Sequence, residues 1–204
     1  MPYRRTTAVQ ARLDASRERL FASAIDVLST QGYKGLSIAS VAAAAGVSAG
    51  SVYTHFENKS DLVVAIFREV CGREVRAVAE ASSTGTVVER VTAIVETFAG
   101  RAMKNRTMAY ALLAEPVDAA VDAERLVFRR SFTDAIAGAI TAGIAAREIP
   151  EQNVQLAAAG LVGAVGEILV GPLSPNRVCP DRVPDADVVP DLVSFALRSL
   201  GVRP

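Results

Sequence analysis

Apolar residues recur along this chain at intervals of three and four, and no stretch shows the strict alternation of a half-buried strand. The pattern predicts an all-α protein of about nine helices. A first helix is expected from about Ser16 to Thr30, burying Leu20, Phe21, Ala24, Ile25 and Leu28 and stopping at Gly32. Leu62, Ile66 and Val70 mark the inner face of a long fourth helix from about Lys59 to Ala81. Thr86 and Glu89 make a capping box for a fifth, which carries Val88, Val91, Val95 and Phe98. A sixth is expected from about Arg101 to Ala114, and a seventh from about Val121 to Ala146 with Phe128, Phe132, Ile136 and Ile140 inward. Pro150 is placed to open the eighth, which ends at Gly171-Pro172. A linker rich in proline and aspartate, Pro172 to Pro190, leads to a last amphipathic helix with Leu192, Phe195, Ala196 and Leu200.

The densest signal lies between Leu36 and Leu62. Ser37 is a good N-cap, and Ile38, Val41, Ala42 and Ala45 follow it at helical spacing. Gly46 supplies the left-handed residue that a sharp helix stop favours, Val47 can plug the angle, and Ser48 caps a new helix starting at about Ala49. On that helix Val52 and Phe56 point to the core, which leaves Ala49, Gly50, Ser51, Thr54 and His55 outside. Small exposed residues let a helix sink deep into a groove. Asn58 caps the next helix with Asp61 three positions on, and Lys59 puts a cation in its first turn, where the helix dipole disfavours one. A charge so placed suggests a phosphate partner.

Charge adds to this picture once it is divided. Over 204 residues the net charge is zero, but residues 1–60 hold seven basic and four acidic side chains, and the remainder is correspondingly acidic. Half of the chain is hydrophobic, ample for a core. Cys71 and Cys179 have no metal or redox spacing and suit a reducing compartment. With no hydrophobic signal segment at the N-terminus, a cytoplasmic protein is expected. The lone histidine, His55, has no second His or paired Cys beside it, so no metal site and no cofactor is expected.

The run Ala42 to Gly46, followed by V-S-A-G-S-V-Y-T-H-F-E-N-K-S-D-L, closely resembles the DNA-binding domain of the TetR family of bacterial transcriptional regulators, over roughly residues 15 to 65. The resemblance implies a three-helix helix-turn-helix domain at residues 1–62, then a helical effector-binding and dimerisation domain at residues 63–204. It implies phosphate contacts from Ser37, Tyr53, His55 and Lys59, and base-facing positions at Ala49, Gly50, Ser51 and Thr54, with Ala39 near the groove. Arg4, Arg5 and Arg12 precede the first helix as an arm suited to a minor groove. One departure matters: no side chain on the base-facing surface can make a bidentate contact to guanine or adenine, so specificity should lean on groove shape. The partners implied are a near-palindromic double-stranded operator, a second copy of the chain and a small-molecule effector, the function that of a repressor. A regulator with no small ligand is the alternative.

Within the larger domain, Met103, Met108, Tyr110, Leu113, Phe128 and Phe132 are candidate walls of an effector pocket, equally plausible as plain core. Few aromatics and no tryptophan favour an aliphatic or small polar effector over a flat polyaromatic one. The eighth and ninth helices are the expected dimer surface, with Ala157, Gly160, Gly163, Ala164, Leu192 and Phe195 at the contact and Leu156, Leu161, Ile168 and Leu169 supplying apolar area. A membrane span is the competing reading of the eighth helix, disfavoured by its glycines, its Gly-Pro end and Glu167. Glu167 is costly inside an apolar run unless paired, so it is expected to line the pocket or meet an arginine across the interface, with an exposed structural role as the alternative. Finally, Gly46-Val47-Ser48-Ala49-Gly50 matches the G-x-S-x-G of serine hydrolases. An alanine-rich helix precedes it where a strand is required, and His55 lies only seven residues on, so no catalytic residue is expected.

Overall fold

The computed structural model describes residues 7–175 and 186–202. Arg4, Arg5, Cys179 and most of the expected linker lie outside them. Among the described residues there are nine helices and no strand. The first, α1 (Thr7–Gly35), begins earlier than expected, so Arg12 lies exposed on it rather than in an arm before it. Its regular course breaks at Gly32, whose φ of 69° is left-handed, the stop anticipated there. Then come α2 (Ile38–Ala45), the short α3 (Ala49–Tyr53) and α4 (Lys59–Ala81). The last is continuous through residues 62 and 63, where the sequence suggested a domain boundary.

The rest is a bundle of α5 (Val87–Lys104), α6 (Arg106–Leu113), α7 (Ala119–Ala145), α8 (Val154–Leu173) and α9 (Val188–Ser199). Helix α4 packs on α7 and α5, α1 on α6 and α2, and α9 on α5. Their apolar faces merge into one core, from Leu20, Leu28 and Phe56 through Phe67 and Ile140 to Leu169 and Leu200.

Several expected boundaries shift, each for a local reason. The fifth helix continues to Lys104, and Asn105 rather than Arg101 starts the sixth, its side chain accepting from Met108 N at 3.2 Å. Val87, not Val88, turns inward, because the Thr86–Glu89 capping box sets a register that buries residues 87, 91 and 94 and leaves Val88 39% exposed. Pro150 does not open α8; Asn153 caps it, accepting from Leu156 N at 3.0 Å. At its other end α8 runs through Pro172 to Leu173. A close approach explains one glycine of α7. A Cβ on Gly143 would sit 2.7 Å from Val87 Cβ, so α5 and α7 meet only because that position carries no side chain.

Candidate nucleic-acid interface and ligand cavity

The helix-turn-helix is built by caps. Ser37 accepts from Ser40 N at 3.0 Å while Ser40 Oγ accepts from Ser37 N at 2.9 Å, fixing the start of α2. Gly46 ends it at φ 66°, ψ 33° and bonds back to the Ala42 and Ala43 carbonyls. Ser48 caps α3 through Ser51 N, and Asn58 caps α4 through Asp61 N at 2.9 Å. Val52 and Phe56 are buried, and Phe56 meets Phe21 of α1 edge-on at 5.6 Å, locking α3 to α1.

That scaffold presents a face of Ala39, Ala49, Gly50, Tyr53 and Thr54, all exposed, with Ser51 half-buried beside them. Tyr53 is 56% exposed, a large aromatic that no core packing explains. Lys59 stands at the start of α4 with its Nζ 5.0 Å above the Tyr33 ring. Two of the expected phosphate contacts have structural duties: Ser37 is held in its cap, and His55 Nε2 lies 3.2 Å from Ser16 Oγ, tying the end of the motif to α1.

A largely apolar cavity of about 440 Å³ opens within the bundle. Phe98, Leu113, Phe128 and Phe132 wall it, with Phe132 edge-on to both other rings at 4.7–4.8 Å. Its charged members are Arg125, Arg129 and Glu167. Arg125 is turned into the protein: its Nε donates to the Leu112 carbonyl at 2.8 Å, and its Nη2 to those of Ala111 and Glu115 at 3.1 and 2.9 Å. Those groups end α6, so a cation caps that helix where the dipole favours one. Burial holds the Arg125 pKa below its ordinary value, offset in part by Asp122.

The same end of α6 reaches the helix-turn-helix. The Glu115 carboxylate accepts from Tyr33 N at 2.6 Å, just past the Gly32 break in α1. Tyr33 donates its hydroxyl to Asp118 at 3.0 Å, and Ser60 in the first turn of α4 donates to the same carboxylate at 3.4 Å. Asp118 also caps α7 through Val121 N; that bond chiefly holds its pKa below the usual carboxylate range, and the hydroxyls of Tyr33 and Ser60 add to it. Burial first, and then the bond to Asp118, raise the Tyr33 pKa. A single joint therefore contacts the cavity wall, α1 and the start of α4.

Residues 20–66 match the family model for bacterial regulatory proteins of the tetR family. Those residues form a TetR-family DNA-binding domain, that of a transcriptional regulator. The chain is 23% identical to the fatty acid metabolism regulator protein of Bacillus subtilis (strain 168), over 71% of this chain and 77% of that one. It is 44% identical to the HTH-type transcriptional regulator CymR of Pseudomonas putida over 66 residues, 32% of either chain. Among solved structures, the FadR regulator from Bacillus subtilis in complex with stearoyl-CoA superimposes with a TM-score of 0.75 at 19% identity, covering 92% of this chain and all of that one. At that identity the likeness establishes the fold.

The chain's TetR-family relatives are DNA-binding regulators rather than enzymes, and Ser48 of the G-x-S-x-G run is a helix cap. Of the expected pocket residues, Leu113, Phe128, Phe132 and Glu167 line the cavity. Met108 lines a smaller neighbouring one, and Met103 and Tyr110 line neither, being half-buried against the core. Sequence reasoning missed Phe98, Arg125 and Arg129; the spacing of Arg125, Phe128, Arg129 and Phe132 at three and four on α7 was the available signal. On the expected dimer face, Gly160, Gly163 and Phe195 are exposed and Ala157 and Ala164 half-buried. Leu192 instead points into the chain's own core, as do Leu161 and Leu169, while Leu156 and Ile168 are exposed. By length and composition α8 could cross a membrane; one face of it packs on α7, α6 and α5 through Ala158, Leu161, Val165 and Leu169. Cys71 is buried, and burial pushes its thiol pKa up to about 12, which makes it inert packing.

Proposed function

We propose that this regulator is a cytoplasmic repressor that binds a near-palindromic operator as a homodimer and releases it when an aliphatic acyl compound, such as a fatty acyl thioester, fills the cavity. Residues 1–62 would read DNA and residues 63–204 would bind the effector and the second subunit. The observation that carries the reading is the joint at the end of α6, where Arg125 is at once a wall of the cavity and the cap of the helix whose Glu115 holds Tyr33. A ligand that displaces this wall acts directly on α1 and α4, and through α1 on α2, the helix against which α3 packs. Its acyl nature is supported by the cavity's apolar lining and by relatives named for fatty acid metabolism, one of them solved with stearoyl-CoA. Arg129 makes no ion pair among the described residues and lies at the exposed edge, where it suits an anionic head group.

Dimerisation through α8 and α9 is supported by Leu156, Ile168 and Phe195, 73%, 43% and 37% exposed on these two helices. It is supported also by Gly160, where an added Cβ would touch nothing within the chain, whereas Gly163 lines the cavity. Glycine weakens a helix by about 1 kcal/mol relative to alanine, so close approach of a second backbone gives Gly160 a purpose. In such a dimer the two α3 helices would enter successive major grooves roughly 34 Å apart.

The test is operator selection from random duplexes, followed by calorimetry of stearoyl-CoA with and without the selected operator. Linkage requires operator to weaken effector binding by the factor that effector weakens operator binding. Equal effector affinity in both conditions would overturn the induction mechanism. No binding of any acyl compound would leave a DNA-binding regulator of another input.

A further inference from the structure

The cavity has a neighbour. A second space of only about 30 Å³ lies among Ala102, Asn105, Met108 and Ala109, bounded by Glu74 and Arg101. Phe98 of α5, Leu113 of α6 and Phe128 of α7 line both spaces, so the three side chains form a partition between them. Two of its members are stiff, because Phe98 and Phe128 each pack edge-on against Phe132. Leu113 is the aliphatic member and is only half-buried. Beyond the partition the small space is bordered by ordered contacts: Arg101 makes a two-pronged ion pair with Glu74 at 2.6 and 2.8 Å, and the Met108 sulfur accepts from the Ser29 hydroxyl at 3.5 Å. The exposed Arg129 and Glu167 mark where the large cavity meets solvent, which gives it a polar mouth and an apolar interior.

We propose that Phe98, Leu113 and Phe128 are the stop that sets the length of aliphatic chain this site accepts, with the small space behind them as a compartment used only when the stop is shortened. The inference rests on the acyl reading above. A chain entering from the mouth gains about fourfold in affinity for every methylene it buries, until its end meets the partition. There the gain ceases, since a wall of interlocked rings yields only by leaving its rotamers. Shortening Leu113 removes three carbons from that wall and joins the two spaces. Ala109 lies one turn before Leu113 on α6 and lines the small space alone, so a larger residue there refills what the first change opens.

The test uses saturated straight-chain acyl-CoAs of increasing length below their micelle concentrations, with affinities measured by calorimetry on the full chain. In wild type the affinity climbs with length and then levels or falls. In Leu113→Ala the climb continues for about two further carbons, roughly a tenfold gain or more for the first chains past the wild-type limit. In Leu113→Ala/Ala109→Leu the limit returns toward wild type. Phe128→Leu, which keeps an apolar side chain in the core, extends the limit in the same direction and guards against a folding defect in either variant. The same length limit in all four proteins overturns the partition while leaving the acyl reading intact. No binding of any acyl-CoA to wild type overturns both.

Discussion

Arg125→Met removes the cap of α6 while keeping a side chain of similar length in the cavity wall. Three hydrogen bonds from the guanidinium, to the carbonyls of Ala111, Leu112 and Glu115, disappear at once. The Arg125 side chain is only 12% exposed, so these carbonyls are not freely hydrated in its absence. A hydrogen bond to a charged group is worth about 1.5–3 kcal/mol, but the three share one cation and water can reach the site through the cavity. Burial also penalises the charge in the wild type, as its lowered pKa records. Together these give a loss of about 3 kcal/mol, which for a chain of this size lowers Tm by roughly 6–12 °C. Differential scanning calorimetry measures it directly. The functional consequence follows from the grip of Glu115 on Tyr33: with the end of α6 loosened, effector and operator should influence each other's affinity less, a coupling normally worth about 1–3 kcal/mol. A Tm within about 2 °C of wild type would refute the capping argument. Normal coupling in a destabilised protein would refute the joint.

Gly50→Ala and Gly46→Ala should part company. At Gly50 an added Cβ meets only Ser48 Oγ at 3.6 Å, so stability holds or rises slightly while operator affinity falls; at Gly46, with φ 66°, alanine costs about 1–2 kcal/mol in urea melts without touching the DNA face. Lys59→Ala is expected to weaken binding to all sequences about alike and to lower the salt slope by about one per half-site; a change in preferred sequence would remove it from the phosphate role. The depressed Asp118 pKa means that its carboxylate contributes stability above the usual carboxylate range and loses it as pH falls through the lower folded value, so Asp118→Asn should flatten the acid limb of the stability profile. Gly160→Leu leaves the protomer folded, since nothing lies within 4 Å of an added Cβ, and sedimentation should show it as monomer; an unchanged dimer would move the interface elsewhere.

The parts of the fold legible in the sequence were those governed by local chemistry. Ser37, Gly46, Ser48 and Asn58 announce the helix-turn-helix because a cap is a matter of one side chain and three neighbouring amides. Thr86 and Glu89 announce α5 in the same way, and α4 spans the residues its apolar spacing indicates. Register and cavity were harder. Val87 and Val88 are equivalent to a periodicity argument, and the capping box that decides between them does so through backbone geometry. Leu192 and Phe195 lie on one amphipathic helix, yet α5 covers the first and leaves the second exposed, a difference that depends on where α9 docks. Arg125 escaped notice because a charged residue in a helix reads as a solvated face, and only the meeting of α6 and α7 reveals three carbonyls beneath it.

The structure also narrows what the exposed face of the helix-turn-helix can do. Ser51 and Thr54 carry the only hydroxyls among the four expected base-facing positions, and both are already engaged. The Thr54 hydroxyl donates to the Gly50 carbonyl at 3.1 Å, and Ser48 and Ser51 share a hydrogen bond at 3.1 Å. What remains for a base edge is lone pairs, methyl groups and, when Ser48 is the donor of that shared bond, the Ser51 proton. A hydroxyl whose proton is committed to its own helix can still accept from the amino group of cytosine or adenine, and the Ala49 and Thr54 methyls can meet that of thymine. Neither contact distinguishes a base pair as a bidentate arginine does. In the proposed complex a face this small would admit α3 deep into the groove, with the neighbouring Tyr53 and Lys59 at the phosphates. Affinity would then be set by how readily a duplex adopts the groove width they demand. Mutating the operator at pairs that α3 never touches should therefore cost this regulator as much as mutating those it does.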